Sequence, residues 1–200
     1  MRILGISGSL RRGSHNTALL RAAAELLPPG VEFELFEHLR DIPPYDQDEE
    51  DAGHHAPALE ELKQAIARAD ALLISTPEYN HSIPGVLKNA LDWVSRPVAT
   101  TVLRGKPAAV IGASTSLFGA VWAQAELRKV LAAIGADVVD RELPVMQAHT
   151  HFDEHGNLVA DDLRDQLAEH VAALLEAARP SSTSEDDGPV LVHENSVFQM

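Results

Sequence analysis

Short apolar runs alternate with longer amphipathic stretches along most of the chain. Ile3-Leu4-Gly5-Ile6 stops at Ser7-Gly8-Ser9 and reads as a buried strand. From Asn16 to Leu27, the residues Ala18, Leu19, Ala22, Ala23, Leu26 and Leu27 recur at helical spacing, and Pro28-Pro29-Gly30 ends that helix. Val31 to Phe36 alternates apolar and acidic side chains, as a half-exposed edge strand does. Residues 37–57 read as a long loop with an acidic run, Asp46 to Asp51. A helix follows from about Ala58 to Arg68, with Leu59, Leu62, Ala65 and Ile66 on one face, then a strand, Ala71 to Ile74. Pro84 suits the first turn of a helix that runs to about Val94. Ala108 to Ile111 forms a fourth strand, Phe118 to Ile134 a helix closed by Gly135, Asp137 to Val139 a fifth strand, and Leu158 to Ala178 a last helix.

Strands alternating with helices define an α/β protein: a parallel sheet covered by helices on both faces. With strand order 2-1-3-4-5, the order reverses between the first and third strands, and ligands bind at such a switch point, beyond the carboxyl ends of the strands. The loops after strands one, three and four then share one crevice. Residues 1–179 read as one domain. Residues 180–200, opening with Pro, Ser, Asp and Gly, read as a mobile tail.

Charge and composition narrow the chemistry. The 200 residues carry 30 acidic and 16 basic side chains, a formal charge of −14. That balance, with no basic block, disfavours binding to nucleic acid phosphates or to anionic membranes. An anion must be held locally, by a few donors in one loop. There is no cysteine, which excludes disulfides, thiolate metal sites and thiol nucleophiles. Redox chemistry would need a bound cofactor. Mean hydropathy is −0.09, no apolar run is long enough for a membrane span, and the start lacks the pattern of a secretory signal. The expected location is the cytoplasm.

The first loop, Ser7 to Thr17, joins a strand to a helix start, where unpaired N–H groups attract phosphate. Ser9, Ser14, Asn16 and Thr17 add neutral donors, and Arg11 adds a bidentate cation. The loop matches neither the dinucleotide fingerprint nor the Walker pattern, so a terminal phosphate monoester is the expected ligand. The plainer reading is a polar turn with Ser14 or Asn16 as helix cap. In the second loop, Ser75 to Gly85, Pro77 supplies stiffness, Tyr79 an aromatic face and Asn80 hydrogen bonds for a planar heterocycle. The third, Ala113 to Ala120, offers Ser114 and Ser116 to the far side of such a ring; alone, it reads as a helix cap.

Three stretches in this order resemble the NAD(P)H-dependent FMN reductase family: Ser7-Gly8-Ser9-Leu10-Arg11 with Ser14 and Asn16, Pro77-Glu78-Tyr79-Asn80, and Pro84-Gly85-Val86-Leu87-Lys88-Asn89-Ala90-Leu91-Asp92-Trp93. The resemblance spans about residues 1–145. It implies a flavodoxin-like three-layer sandwich with a five-stranded parallel sheet, noncovalent FMN, NAD(P)H as electron donor, a small acceptor such as a quinone, azo compound, chromate or free flavin, and a homodimer or homotetramer. By the same resemblance, Ser9, Arg11, Ser14, Asn16 and Thr17 would hold the FMN phosphate. Pro77, Glu78, Tyr79 and Asn80 would line the isoalloxazine ring with Ser114 and Ser116 nearby, and Asn80 would tune it. No side chain is then needed as a catalytic group. The helix carrying Trp93 would pack against a partner subunit. The family often has a Gly pair where this chain has Gly119-Ala120.

Other readings compete. His149, His151 and His155 lie close in sequence, and His54-His55 is a second group, but neither has a spacing that specifies a metal site. A flavodoxin-like electron carrier would bind FMN without reacting directly with NAD(P)H. A cofactor-free regulatory module of the receiver type would need an Asp at a strand end, where this chain has Ser7 and Ser75.

Overall fold

A computed structural model describes residues 1–179; the expected tail, 180–200, lies outside the described residues. In chain order the elements are β1 (Arg2–Ser7), α1 (His15–Glu25), β2 (Glu32–Phe36), α2 (Gln47–Asp51), α3 (Pro57–Arg68), β3 (Ala71–Ser75), α4 (Gly85–Val94), β4 (Pro107–Ala113), α5 (Val121–Ala133), β5 (Asp137–Val138), β6 (Pro144–Val145) and α6 (Asp161–Ala177). The sheet is parallel and runs β2-β1-β3-β4-β5, with β6 also pairing with β4. This is the flavodoxin-like α/β order.

Two-residue periodicity divides the core between the two faces of the sheet. In β3, Leu72 and Ile74 join one apolar cluster, and Ala71 and Leu73 the other. In β4, Ala108 and Val110 go to the first, and Ala109 and Ile111 to the second. The first cluster is covered by α3, α4 and α5 through residues such as Leu62, Leu87 and Leu127. The second is covered by α1 and α6 through Leu19, Leu20, Leu167 and Val171. Gly5 of β1 has a specific job: a Cβ there would sit 2.4 Å from the ring of Phe33 on β2.

Three details depart from the sequence pattern. Residues 37–57 are not all loop: Asp46 caps the short helix α2 by accepting from the Asp48 N–H. Helix α5 begins at Val121 rather than Phe118, because Gly119 (φ 58°) and Ala120 (φ 61°) are left-handed. The fifth strand position is filled by two short pieces: β5 pairs with Pro107 and Ala108, and β6 with Gly112 and Ala113. Gly135 (φ 97°) does close α5, with the Ala136 N–H donating to the Leu131 carbonyl and Gly135 to Ala132. Trp93 is buried in the core and donates its indole N–H to the Pro43 carbonyl.

Candidate functional site

The crevice lies where the carboxyl ends of β1, β3 and β4 meet, and polar side chains tie those ends together. Gly8 donates its N–H to the Ser75 carbonyl at 2.8 Å. A Cβ on Gly8 would stand 3.1 Å from Leu87 and 3.3 Å from Pro77, so glycine lets the first and second loops touch. Asn16 is 4% exposed. Its Nδ2 donates to the Ala113 carbonyl, and its Oδ1 accepts from the Ala113 N–H and the Ser75 hydroxyl, at 2.8 to 2.9 Å. One amide thus joins the first turn of α1 to β3 and β4. Ser14 is the α1 cap and accepts from the Thr17 N–H; the Thr17 hydroxyl donates to Ser7 Oγ at 2.9 Å.

These internal bonds leave the loop's main chain unspent. Among the described residues, no acceptor meets the N–H groups of residues 10–16, and the start of α1 adds partial positive charge. Arg11 is exposed, and among the described residues it makes no hydrogen bond or ion pair. His15 is held below its ordinary imidazole pKa by burial first, then by Arg11 and His149.

Main-chain conformation builds the second loop. Tyr79 and Ser82 exchange two N–H···O bonds of 3.0 and 3.1 Å around Asn80 (φ 53°) and His81 (φ 61°). Two positive φ values in succession are the signature of a type I′ turn, which asparagine tolerates well. The turn leaves Tyr79 54% exposed. Glu78 points elsewhere: its Oε2 accepts from the N–H groups of Trp122 (3.1 Å) and Ala123 (3.2 Å). It supplies the cap that α5 lacks, since Ala120 has no side-chain acceptor.

The third loop is held from behind. Its Ser114 N–H donates to the Val145 carbonyl, and the Ser114 and Ser116 carbonyls accept from Ala148 and Gln147. Ser114 Oγ and Ser116 Oγ stand 3.0 Å apart. Gln124, fully buried, donates to the Gly119 carbonyl and accepts from the Leu143 N–H. At the rim, Phe118 and Trp122 pack with ring centroids 4.9 Å apart, and His81 meets Trp122 at 4.8 Å.

A cavity of about 200 Å³ brings together Ser9, Arg11, Ser14 and Asn16 from the first loop, Pro77, Glu78 and Tyr79 from the second, and Ser114 from the third. Thr17, Asn80 and Ser116 are outside its lining: Thr17 faces neighbouring cavities, Asn80 sits exposed at its turn, and Ser116 braces the third loop. The sequence reading missed Thr115 and His15, which also line the cavity. It missed Ser75 as well, whose signal was a hydroxyl ending an otherwise apolar strand. Among the described residues, no three His, Cys, Asp or Glu side chains gather to hold a metal ion, and no helix is long and apolar enough to cross a membrane.

The donor set suits a flavin mononucleotide. Unpaired N–H groups and an unpartnered guanidinium fit a phosphate monoester; an exposed tyrosine face and hydroxyl-bearing loops opposite it fit a planar polar ring. Fold and site together define a flavodoxin-like nucleotide-binding α/β protein. The chain belongs to the NADPH-dependent FMN reductase family, whose model matches residues 1–150; with that membership go FMN as cofactor, NAD(P)H as electron donor and oxidoreductase activity. It is 43% identical over 175 residues to an NAD(P)H-dependent FMN reductase of Pseudomonas aeruginosa, covering 87% of this chain and 93% of that one. It is 43% identical over 169 residues to a 2-hydroxy-1,4-benzoquinone reductase of a Burkholderia species, covering 84% and 90%. The solved structure of FerB, a flavoenzyme NAD(P)H:(acceptor) oxidoreductase from Paracoccus denitrificans, superposes with a TM-score of 0.80 at 33% identity, covering 88% of this chain and 96% of that one.

Proposed function

We propose that this protein uses FMN in the crevice at the ends of β1, β3 and β4 to carry electrons from NAD(P)H to a quinone. Bound FMN supplies the hydride and electron transfer; the chain's residues bind, orient and tune it. The observation that carries the reading is the set of unspent N–H groups on residues 10–16 beside an unpaired Arg11. Ser9, Arg11 and these amides grip the phosphate, and Ser14 keeps its hydroxyl hydrogen for the same anion while capping α1. Thr17 and Asn16 act mainly behind this surface, since their polar groups are engaged with Ser7, Ser75 and Ala113. Pro77, Tyr79 and Ser114 would line the ring, and Ser116 would hold the third loop in place behind Ser114. With FMN bound, main-chain N–H groups of the second loop or Asn80, exposed on its turn beside the cavity, would donate toward the polar edge of the ring and stabilise negative charge there. Glu78 positions the second loop against α5. Quinone as acceptor rests on the relatives named above. The same reading has a homodimer or homotetramer in the cytoplasm.

The test is anaerobic mixing of the FMN-loaded protein with NADPH and with NADH, followed by a panel of quinones, azo dyes, chromate and free flavin. Rapid bleaching of the flavin absorbance, then recolouring by quinones, is expected. An Arg11→Ala variant should bind FMN about thirty-fold more weakly, as loss of a charged hydrogen bond costs about 2 kcal/mol. A protein that binds FMN yet is bleached by neither nucleotide is an electron carrier, and the reductase reading falls. Purified protein that is colourless and gains no thermal stability from FMN removes the cofactor from the site altogether.

A further inference from the structure

A second cavity adjoins the flavin crevice on the α1 side. It measures about 440 Å³ and is bounded by Arg11, Arg12 and Arg21 on one wall and by the 152–156 segment on the other. The two cavities meet at Arg11, Ser14 and His15. Arg12 and Arg21 belong only to the second. Thr17 and Arg21 line it from successive turns of α1, so it runs about 6 Å along the helix, beyond the phosphate loop itself.

The state of its cations sets this cavity apart. Among the described residues, every arginine elsewhere in the protein pairs with a carboxylate, donates to a main-chain carbonyl or lies over an aromatic ring. Arg11, Arg12 and Arg21 do none of these among the described residues, and all three face one space in a chain of net charge −14. Two carboxylates, Asp153 and Glu154, line the opposite wall. Asp153 Oδ1 accepts from the His155 and Asn157 N–H groups, and its Oδ2 accepts from the Asn157 side chain. Glu154 stands 3.6 Å from His155 Nε2. His15 stacks on Phe152 with centroids 5.6 Å apart and planes 25° apart, giving the cavity a flat wall.

We propose that this cavity holds the adenosine 2′-phosphate of NADPH, and that Arg12 and Arg21 make the protein prefer NADPH over NADH. A phosphate monoester is doubly charged and presents oxygens that guanidinium groups meet in pairs. The flat His15–Phe152 wall lies beside it for the purine. Arg11, shared by both cavities, stands between this phosphate and that of FMN. The proposal rests on the NAD(P)H oxidoreductase reading above, so its test has two separable arms.

In the first, FMN-loaded protein is titrated calorimetrically with 2′,5′-ADP, 5′-AMP and inorganic phosphate. The wild type should bind 2′,5′-ADP at least roughly ten-fold more tightly than 5′-AMP, the effect of one charged contact set, and an Arg12→Ala/Arg21→Ala double variant should lose that preference. Equal binding of the two nucleotides, or a preference that survives in the double variant, overturns the proposal. Inorganic phosphate binding as tightly as 2′,5′-ADP overturns it too, by showing a simple anion site. In the second, KM is measured for both dinucleotides with an Arg21→Ala variant, which should raise KM for NADPH about ten-fold and leave NADH turnover unchanged. An unchanged NADPH-to-NADH ratio overturns the specificity role while the reductase reading stands. Failure to oxidise either dinucleotide, with selective 2′,5′-ADP binding intact, defeats the reductase reading and leaves the phosphate pocket in place.

Discussion

The two ends of the flavin crevice are built by different means. At the phosphate end, side chains do the structural work: Asn16, Ser14, Thr17, Ser7 and Ser75 form a buried hydrogen-bonded knot that fixes the first loop and leaves its amides facing outward. At the ring end, backbone conformation does it: Asn80, His81, Gly119 and Ala120 all have positive φ, and one carboxylate, Glu78, reaches across to cap α5. The first kind of construction is rigid because each buried polar group would be left unsatisfied by any rearrangement. The second is held by a few strained residues and leaves aromatic side chains exposed at its rim. On the proposed function, that contrast would give a fixed anchor for the phosphate and a more adaptable wall for the electron acceptor.

Substitutions at each end can break it. Asn16→Ala should be the most damaging, since it strands the Ala113 N–H and carbonyl and the Ser75 hydroxyl together; a loss of about 4 kcal/mol is expected in urea unfolding. A loss under about 1 kcal/mol would show that the knot is not what fixes the phosphate end. Gly119→Ala tests the ring end. Its Cβ would fall 2.6 Å from the Pro144 main chain at φ 58°, so about 3 kcal/mol should be lost, whereas Ala120→Gly relaxes φ 61° and should gain about 1 kcal/mol.

Acid acts through a buried imidazole on α6. His170 of α6 is 2% exposed, and burial lowers its pKa to about 4; among the described residues it is the one fully buried ionisable side chain, and it lies near Val110 of β4, with Arg141 and Arg128 close enough to act on it. The native state keeps this imidazole neutral while the unfolded chain protonates below about pH 6.5, so the unfolded state binds more protons and stability falls as the pH drops from there toward 4. About 2 kcal/mol should be lost by about pH 5. In a His170→Leu variant the thermal midpoint should vary correspondingly less over that window; identical pH profiles would remove His170 as the cause. Glu78→Gln is the mildest change. It keeps an acceptor for the Trp122 and Ala123 amides but removes the charge at the helix start, and a loss of about 0.5–1 kcal/mol is expected.

Legibility in the sequence followed the same divide. The strand runs Ile3 to Ile6, Ala71 to Ile74 and Ala108 to Ile111 alternate between two cores, so their period and order could be read directly. The hydroxyls, arginine and helix start of the loop proposed to hold the phosphate were readable because they are local features of the sequence. What the pattern did not reveal depends on distant partners: that Asn16 turns inward to Ala113, that Glu78 caps a helix more than forty residues on, and that the fifth strand position is split around residues 139–143. Helix α5 was expected to begin too early because the left-handed turn at Gly119 and Ala120 goes with contacts from a distance: Gly119 lies against Pro144 and its carbonyl accepts from Gln124.

That split strand has a consequence for association. A sheet's outer rim normally offers a row of free peptide groups on which a foreign strand can grow. Here β5 and β6 are two-residue stubs separated by a detour that Arg128 clasps through Asp140 and Glu142. On the opposite rim, β2 alternates Glu32 and Glu34, paired to Arg2 and Arg68. Among the described residues, neither margin offers a continuous uncharged ladder, so growth by strand addition is disfavoured at both rims.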